Sequence, residues 1–241
     1  MNNFLKYSIL CFTLTGVLAT QAFASIVISG TRVIYQGNKK EVTVTLTNKN
    51  KTPVLIQSWI EQGDIAADKN KNSVPFVITP PINRIDAEKG QTLRISYLGT
   101  PPLPTDKESV FWLNVLEIPA KNKNMADSQN RMSIAFRSRI KLFYRPAGLA
   151  GDAMQAPRLL QWKLNTGGAN VTNPTPYYVS LTKITYQSNG KRHEVPGIMI
   201  SPGTTQQYNF KGINSINNLG QLSYSAINDY GALTEYKAKN N

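Results

Sequence analysis

The sequence is poor in the residues on which most catalytic and metal chemistry depends. Its 241 residues include one cysteine, Cys11, and one histidine, His193. A lone cysteine excludes an intrachain disulfide, and one cysteine with one histidine excludes a Cys/His zinc site. A Ser-His-Asp or Cys-His nucleophile would have to be built on His193. Acids are scarce as well: 14 Asp and Glu stand against 27 Lys and Arg, a formal net charge of +13. That balance favours an anionic partner, and the compartment decides between nucleic acid, anionic lipid and a carboxylate-bearing ligand. With 41% hydrophobic and 17% charged residues, the chain is globular in composition and long enough for one large domain or two small ones.

Apolar runs are short. At the N-terminus, MNNFLKYSILCFTLTGVLATQAFAS, Lys6 is the only charge before Arg32, and the apolar stretch covers about residues 7–18. That is less than the ~20 residues a spanning helix needs. Ala22-Phe23-Ala24 places small residues where a signal peptidase reads them, which predicts a signal peptide over residues 1–24 with cleavage after Ala24. Cys11 has no small-residue lipobox ahead of it, which argues against a lipoprotein. The exported chain would start at Ser25 without any cysteine, so core packing alone must hold it together. Export also counts against nucleic acid as a partner.

Long helical periods are missing too, and the recurrent signal is alternation. Val42, Val44 and Leu46 alternate with threonines; Val54, Ile56, Ser58 and Ile60 share one face, with Trp59 on the other. Leu93, Ile95 and Tyr97 alternate, and 110–118 (VFWLNVLEI) is almost continuously apolar, as a central sandwich strand is. Proline and Asn/Gly turns separate them. In the second half Leu160, Trp162 and Leu164 alternate, 177–186 (YYVSLTKITY) is strand-like, and Asn189-Gly190 marks a hairpin. Further strands are predicted near 198–200, 206–210, 222–228 and 232–237. The pattern predicts an all-β chain of two immunoglobulin-like sandwiches of about 100 residues each. The expected boundaries are an N-terminal domain over 25–146, a linker over 147–152 and a C-terminal domain over 153–241.

One segment does not fit a self-contained domain. Over 131–145 (RMSIAFRSRIKLFYR) the even positions, Met132 to Tyr144, are mostly apolar and the odd ones mostly basic. Fifteen residues at about 3.3 Å each span roughly 50 Å, whereas a strand is usually ~5–6 residues. A small sandwich cannot cover that whole apolar face, so Met132, Ile134 and Phe136 are expected to show it to a partner. Strand addition is the obvious use: main-chain bonds extend a sheet while alternate side chains fill the partner's pockets.

These features together resemble the periplasmic fimbrial or pilus assembly chaperones (PapD-like, short-loop type) over nearly the whole exported chain. The resemblance rests on Gly30-Thr31-Arg32-Val33-Ile34-Tyr35, Thr79-Pro80-Pro81 with Arg84-Ile85-Asp86 and Gly90, Val110-Phe111-Trp112-Leu113-Asn114-Val115 running into Glu117-Ile118-Pro119, and Ser138-Arg139-Ile140-Lys141-Leu142-Phe143-Tyr144-Arg145-Pro146. Asn173-Pro174-Thr175-Pro176-Tyr177-Tyr178 and Ile227-Asn228-Asp229-Tyr230-Gly231 continue it. It implies two immunoglobulin-like domains arranged in an L, binding of unfinished pilin subunits in the periplasm by donor-strand complementation, and delivery to an outer-membrane usher. It also implies that Arg32 and Lys141 anchor the subunit's terminal carboxylate, and that Glu108, Arg145 and Asp229 form an interdomain ion network. As exposed pairs these last would contribute only ~0–1 kcal/mol, so their expected role is orientation. By parity Lys141 lies opposite the Met132, Ile134 and Phe136 rail. An unloaded rail is also a place where two copies could pair. The 120–131 connection is short and has no bracketing cysteines, the mark of the short-loop type. No metal or cofactor is implied.

Three other readings compete. A pilin or adhesin subunit would also be exported and sandwich-like, but such subunits lack their last strand and usually contain cysteines. An extracytoplasmic enzyme finds no nucleophile elbow, phosphate loop or metal cluster here, and His193 follows Lys191-Arg192 in an expected solvated hairpin. Attraction to an anionic membrane surface is a bland alternative, since the basic residues are spread through strands rather than gathered in one tract.

Overall fold

The structure, a computed structural model, describes residues 26–63, 74–119, 134–188, 190–213, 216 and 218–239. The predicted signal peptide, Met132 and the whole 120–131 connection lie outside the described residues.

In the first half the alternating segments become β1 (Ile26–Ile28), β2 (Arg32–Gln36), β3 (Glu41–Asn48), β4 (Val54–Glu61), β5 (Phe76–Thr79), β6 (Ile82–Ile85), β7 (Gly90–Tyr97), β8 (Ser109–Pro119) and β9 (Phe136–Arg145). They build two sheets, β1-β3-β7-β5 and β2-β9-β8-β4-β6. The chain changes sheet between β1 and β2, which leaves β2 parallel to β9 while β1 runs antiparallel to β3. The alternation read from the sequence is the burial pattern: Val44, Leu46, Val54, Ile56, Leu93, Ile95, Phe111, Leu113, Leu142 and Tyr144 share one core between the sheets. Full burial of such a side chain is worth about 1.5–3 kcal/mol. Tyr35, 1% exposed, closes one end of this core, with its hydroxyl donating to the Lys40 carbonyl at 2.8 Å and accepting from the Tyr97 N–H at 3.1 Å.

The second half holds a 3-10 turn at Ala156–Leu159, then β10 (Gln161–Asn165), β11 (Gly168–Thr172), β12 (Val179–Ser188), β13 (Lys191–Pro196), β14 (Met199–Ile200), β15 (Thr205–Asn209), a 3-10 turn at Leu219–Gln221, β16 (Leu222–Ile227) and β17 (Leu233–Lys237). The sheets are β10-β11-β15 and β13-β12-β16-β17, with β14 also on β12. A separate core gathers Trp162, Val171, Leu181, Ile184, Tyr208, Leu222 and Tyr224. The expected hairpin joins Ser188 to Lys191 in register, with Gly190 at φ +72°, a value that favours glycine. The fold is thus all-β, two sandwiches each around its own core. Short strands β5, β6 and β11 were not legible one by one, because four or five residues between turns carry too little period.

Among the described residues the long strand begins at Phe136, where its ladder to β8 opens at the pair Glu117↔Phe136; Ile134 and Ala135 precede that ladder, and 131–133 lie outside the described residues.

Candidate functional site

The topology leaves one strand half covered. β8 flanks β9 from Phe136 to Tyr144, but β2 reaches only from Arg32↔Lys141 to Gln36↔Arg145. Among the described residues, 136–140 therefore has a hydrogen-bonded neighbour on one side only. Leu142 and Tyr144 point into the core and Ile140 packs at its margin. Phe136, in step with them, projects beyond the core and is 61% exposed; Ile134 is 54% exposed. The apolar face thus runs off the end of the domain it belongs to. Of the three expected rail residues, the structure places two in the open and does not describe Met132.

Where β2 takes over, Arg32 and Lys141 are direct cross-strand partners. Lys141 Nζ donates to Ser180 Oγ at 3.3 Å, and Arg32 Nη1 donates to the Ile227 carbonyl at 3.1 Å, so both reach toward the second domain. No carboxylate of the described residues forms a salt bridge with either cation, and Arg32 Nε is buried without a hydrogen-bond partner. Burial holds the Lys141 ammonium below the usual lysine range, and the neighbouring Arg32 charge adds to that. Burial lowers Arg32 as well, with Asp229 and Glu108 pulling the other way. Two like charges, partly desolvated and side by side, are stabilised by any anion that reaches both.

Next along β9, Arg145 joins segments far apart in sequence. Its Nε donates to Glu108 Oε1 at 2.6 Å, and its Nη1 to Asp229 Oδ2 at 2.8 Å. Glu108 also accepts from the Tyr178 N–H at 2.8 Å. The three residues expected to form a network are in contact, but not as exposed pairs: the Glu108 and Arg145 side chains are only 2% and 13% exposed. That corrects the small energetic weight expected of them, because removing one partner of a buried pair strands the other.

Residues 25–150 match the family described as pili and flagellar-assembly chaperone, PapD N-terminal domain, and residues 155–238 match the pili assembly chaperone PapD, C-terminal domain. The chain belongs to the PapD family of pili assembly chaperones. Probable fimbrial chaperone YadV of Escherichia coli (strain K12) is 43% identical over 235 residues, covering 95% of this chain and 96% of that protein. The crystal structure of a YadV chaperone, at 43% identity, superposes with a TM-score of 0.75 over 89% of this chain and 99% of that one. A chain in the structure of the Salmonella enterica SafA pilin in complex with the SafB chaperone, at 26% identity, gives 0.67 over 91% and 98%. PapD-family membership sets aside the reading as a pilin or adhesin subunit.

Within this PapD-family chaperone, sequence reasoning missed the residues that join the domains behind Arg32 and Lys141. Phe143 is 3% exposed yet belongs to neither core; its ring lies 5.9 Å from that of Tyr178, and Arg32 sits over it at 5.8 Å. Its signal was in the sequence, as the one aromatic among the bases on the odd face. Ser180, buried at 3%, had no such signal, being one of several polar residues in its strand. His193 lies on β13 opposite Tyr186, away from all of this.

Proposed function

We propose that this chain is exported to the periplasm on its first 24 residues, captures pilus or fimbrial subunits by donor-strand complementation, and delivers them to an outer-membrane usher. The donated element is β9, with Ile134, Phe136 and the undescribed Met132 supplying the apolar rail. Arg32 and Lys141 receive the subunit's terminal carboxylate, and Glu108, Arg145 and Asp229 hold the two domains in the orientation the anchor needs. The domain limits proposed are 25–146 and 153–241 with 147–152 between them. No catalytic step is part of this reading.

The observation that carries it is the adjoining pair Arg32 and Lys141, in no salt bridge with an acid among the described residues, at the end of a free strand edge. A carboxylate bound there would gain about 1.5–3 kcal/mol per charge-assisted bond. The rail supplies more of the affinity and the anchor sets register, because a one-residue slip turns every side chain to the wrong face.

The test is co-expression in the periplasm with pilin subunits and identification of the chain that co-purifies and its last residues. Arg32→Ala and Lys141→Ala are expected to fold normally and to lose at least tenfold in subunit recovery. Full recovery by either variant would refute the anchor.

A further inference from the structure

Beyond the anchor, a dense charged group lies on the outward face of β4, β8 and β9, behind the free edge. Glu61 ends β4, and its side chain is 19% exposed. Its Oε1 accepts from Arg137 Nη2 at 2.6 Å and from Arg139 Nε at 2.9 Å, while Oε2 accepts from Trp59 Nε1 at 3.1 Å. Arg137 Nε donates to Asn114 Oδ1 at 2.9 Å, and Arg139 also donates to the Gly63 carbonyl. Both guanidinium groups lie over indoles: Arg139 is 4.0 Å from the Trp112 ring centre and Arg137 is 5.0 Å from that of Trp59.

β8 stands between β4 and β9 in the sheet, so Glu61 reaches both arginines across an intervening strand. Ordering two long arginines costs rotamer entropy, and here they back the one stretch of β9 that β2 does not cover. Among the described residues, nothing on the other side of that stretch does the same work. The core ends near Ile140, and Phe136 is open. A strand held by one neighbour and without apolar packing lies at the low-stability end of a fold.

We propose that Glu61 is a positioning residue: it clasps Arg137 and Arg139 from behind and keeps 136–140 extended on β8, so that the free edge and its apolar face are preformed for a client strand. The inference rests on β9 being the donated strand. A preformed edge loses less conformational entropy when a partner adds to it. The charge of Glu61 is essential because one oxygen serves two guanidinium groups. An amide that kept its oxygen on both arginines would set its N–H₂ against the Trp59 Nε1–H, donor to donor, and would leave two guanidinium groups sharing a neutral acceptor.

The test is native-state hydrogen exchange on the full exported chain without client, comparing wild type, Glu61→Gln and Arg137→Gln. In Glu61→Gln the amides within 136–140 that bond to β8 are expected to exchange at least tenfold faster, with β12 and β16 unchanged. Arg137→Gln, which opens one arm of the clasp, is expected to loosen the same amides by a smaller factor. Unchanged protection over 136–140 would overturn the proposal. So would loss spread evenly over the first domain, since Glu61 would then support the domain rather than the strand. With a subunit that co-purifies with wild type, Glu61→Gln is expected to slow capture at least threefold and leave release within twofold. Faster release with unchanged capture would overturn the proposal by placing the effect in the finished complex. The exchange experiment needs no client, so failure of the wild type to capture any pilin would count against the proposed function alone.

Discussion

A lysine and an arginine held side by side, with no salt bridge to an acid among the described residues, are electrostatically half of a site. The Lys141 ammonium is disfavoured by burial and by Arg32, so the unliganded chain releases its proton at a lower pH than an ordinary lysine does. A bound carboxylate favours the ammonium and pulls that pKa back up, so binding takes up a proton once the pH exceeds the unliganded value. Affinity for a subunit is therefore expected to fall with rising pH, beginning below the usual lysine range. Losing one charged bond of about 1.5–3 kcal/mol corresponds to roughly tenfold to a hundredfold in Kd. Lys141→Arg should bind with a flat profile over the same window, because a guanidinium keeps its proton. Titration of binding against pH for the two proteins checks this. Both residues were legible before any fold was known, since each sits in a recognisable run of sequence. Their partners were not: Ser180 and the Ile227 carbonyl come from a domain whose docking no local pattern encodes.

At the scale of the element, β9 carries two faces with different tasks. Its even side chains begin as core at Tyr144 and end as open surface at Phe136, without any change in alternation. Phe136→Ala is expected to leave the stability of the unliganded chain within about 0.5 kcal/mol, since an exposed ring contributes little. Capture should weaken by about 1.5–3 kcal/mol, the value of burying that side chain against a partner. Urea unfolding and a binding isotherm on the same preparation separate the two effects. A loss of stability comparable to the loss of binding would show that Phe136 belongs to the domain's own core. The periodicity told which residues share a face, as Val42, Val44 and Leu46 did for β3. It could not tell where β9 starts, because that depends on where Glu117 of β8 meets it.

At the scale of the whole molecule, few of the described groups join the two domains, and Arg145 links two acids, Glu108 and Asp229. Burial pushes the Glu108 carboxyl up, and Arg145 and the Tyr178 N–H pull it back toward the charged form; two acids in turn hold the Arg145 proton more firmly than usual. Arg145→Ala leaves Glu108 buried without its cation, and the expected cost is about 3 kcal/mol, measured by urea unfolding. Subunit capture should fall as well, because the Ile227 carbonyl that holds Arg32 lies two residues from Asp229. The domains also approach closely at Gly231, whose φ is +83° and where an added Cβ would stand 2.5 Å from Thr31 Oγ1, beside Arg32.

What the sequence determined by itself was whatever rests on local spacing: the all-β class, most strands and their inner faces, and the apolar face that Ile134 and Phe136 leave open, whereas Arg32 and Lys141 were singled out by the family resemblance. Alternation with period two is a property of neighbouring residues, and burial follows it directly. What only the tertiary structure decided was which distant groups share a low-dielectric space. The charges of Glu108, Arg145 and Asp229 were visible in the chain, but their burial was not. Glu61 gave no sign that it would reach two strands away to Arg137 and Arg139. Desolvation depends on everything packed around a charge, and that is set by the docking of sheets and domains rather than by any stretch of sequence.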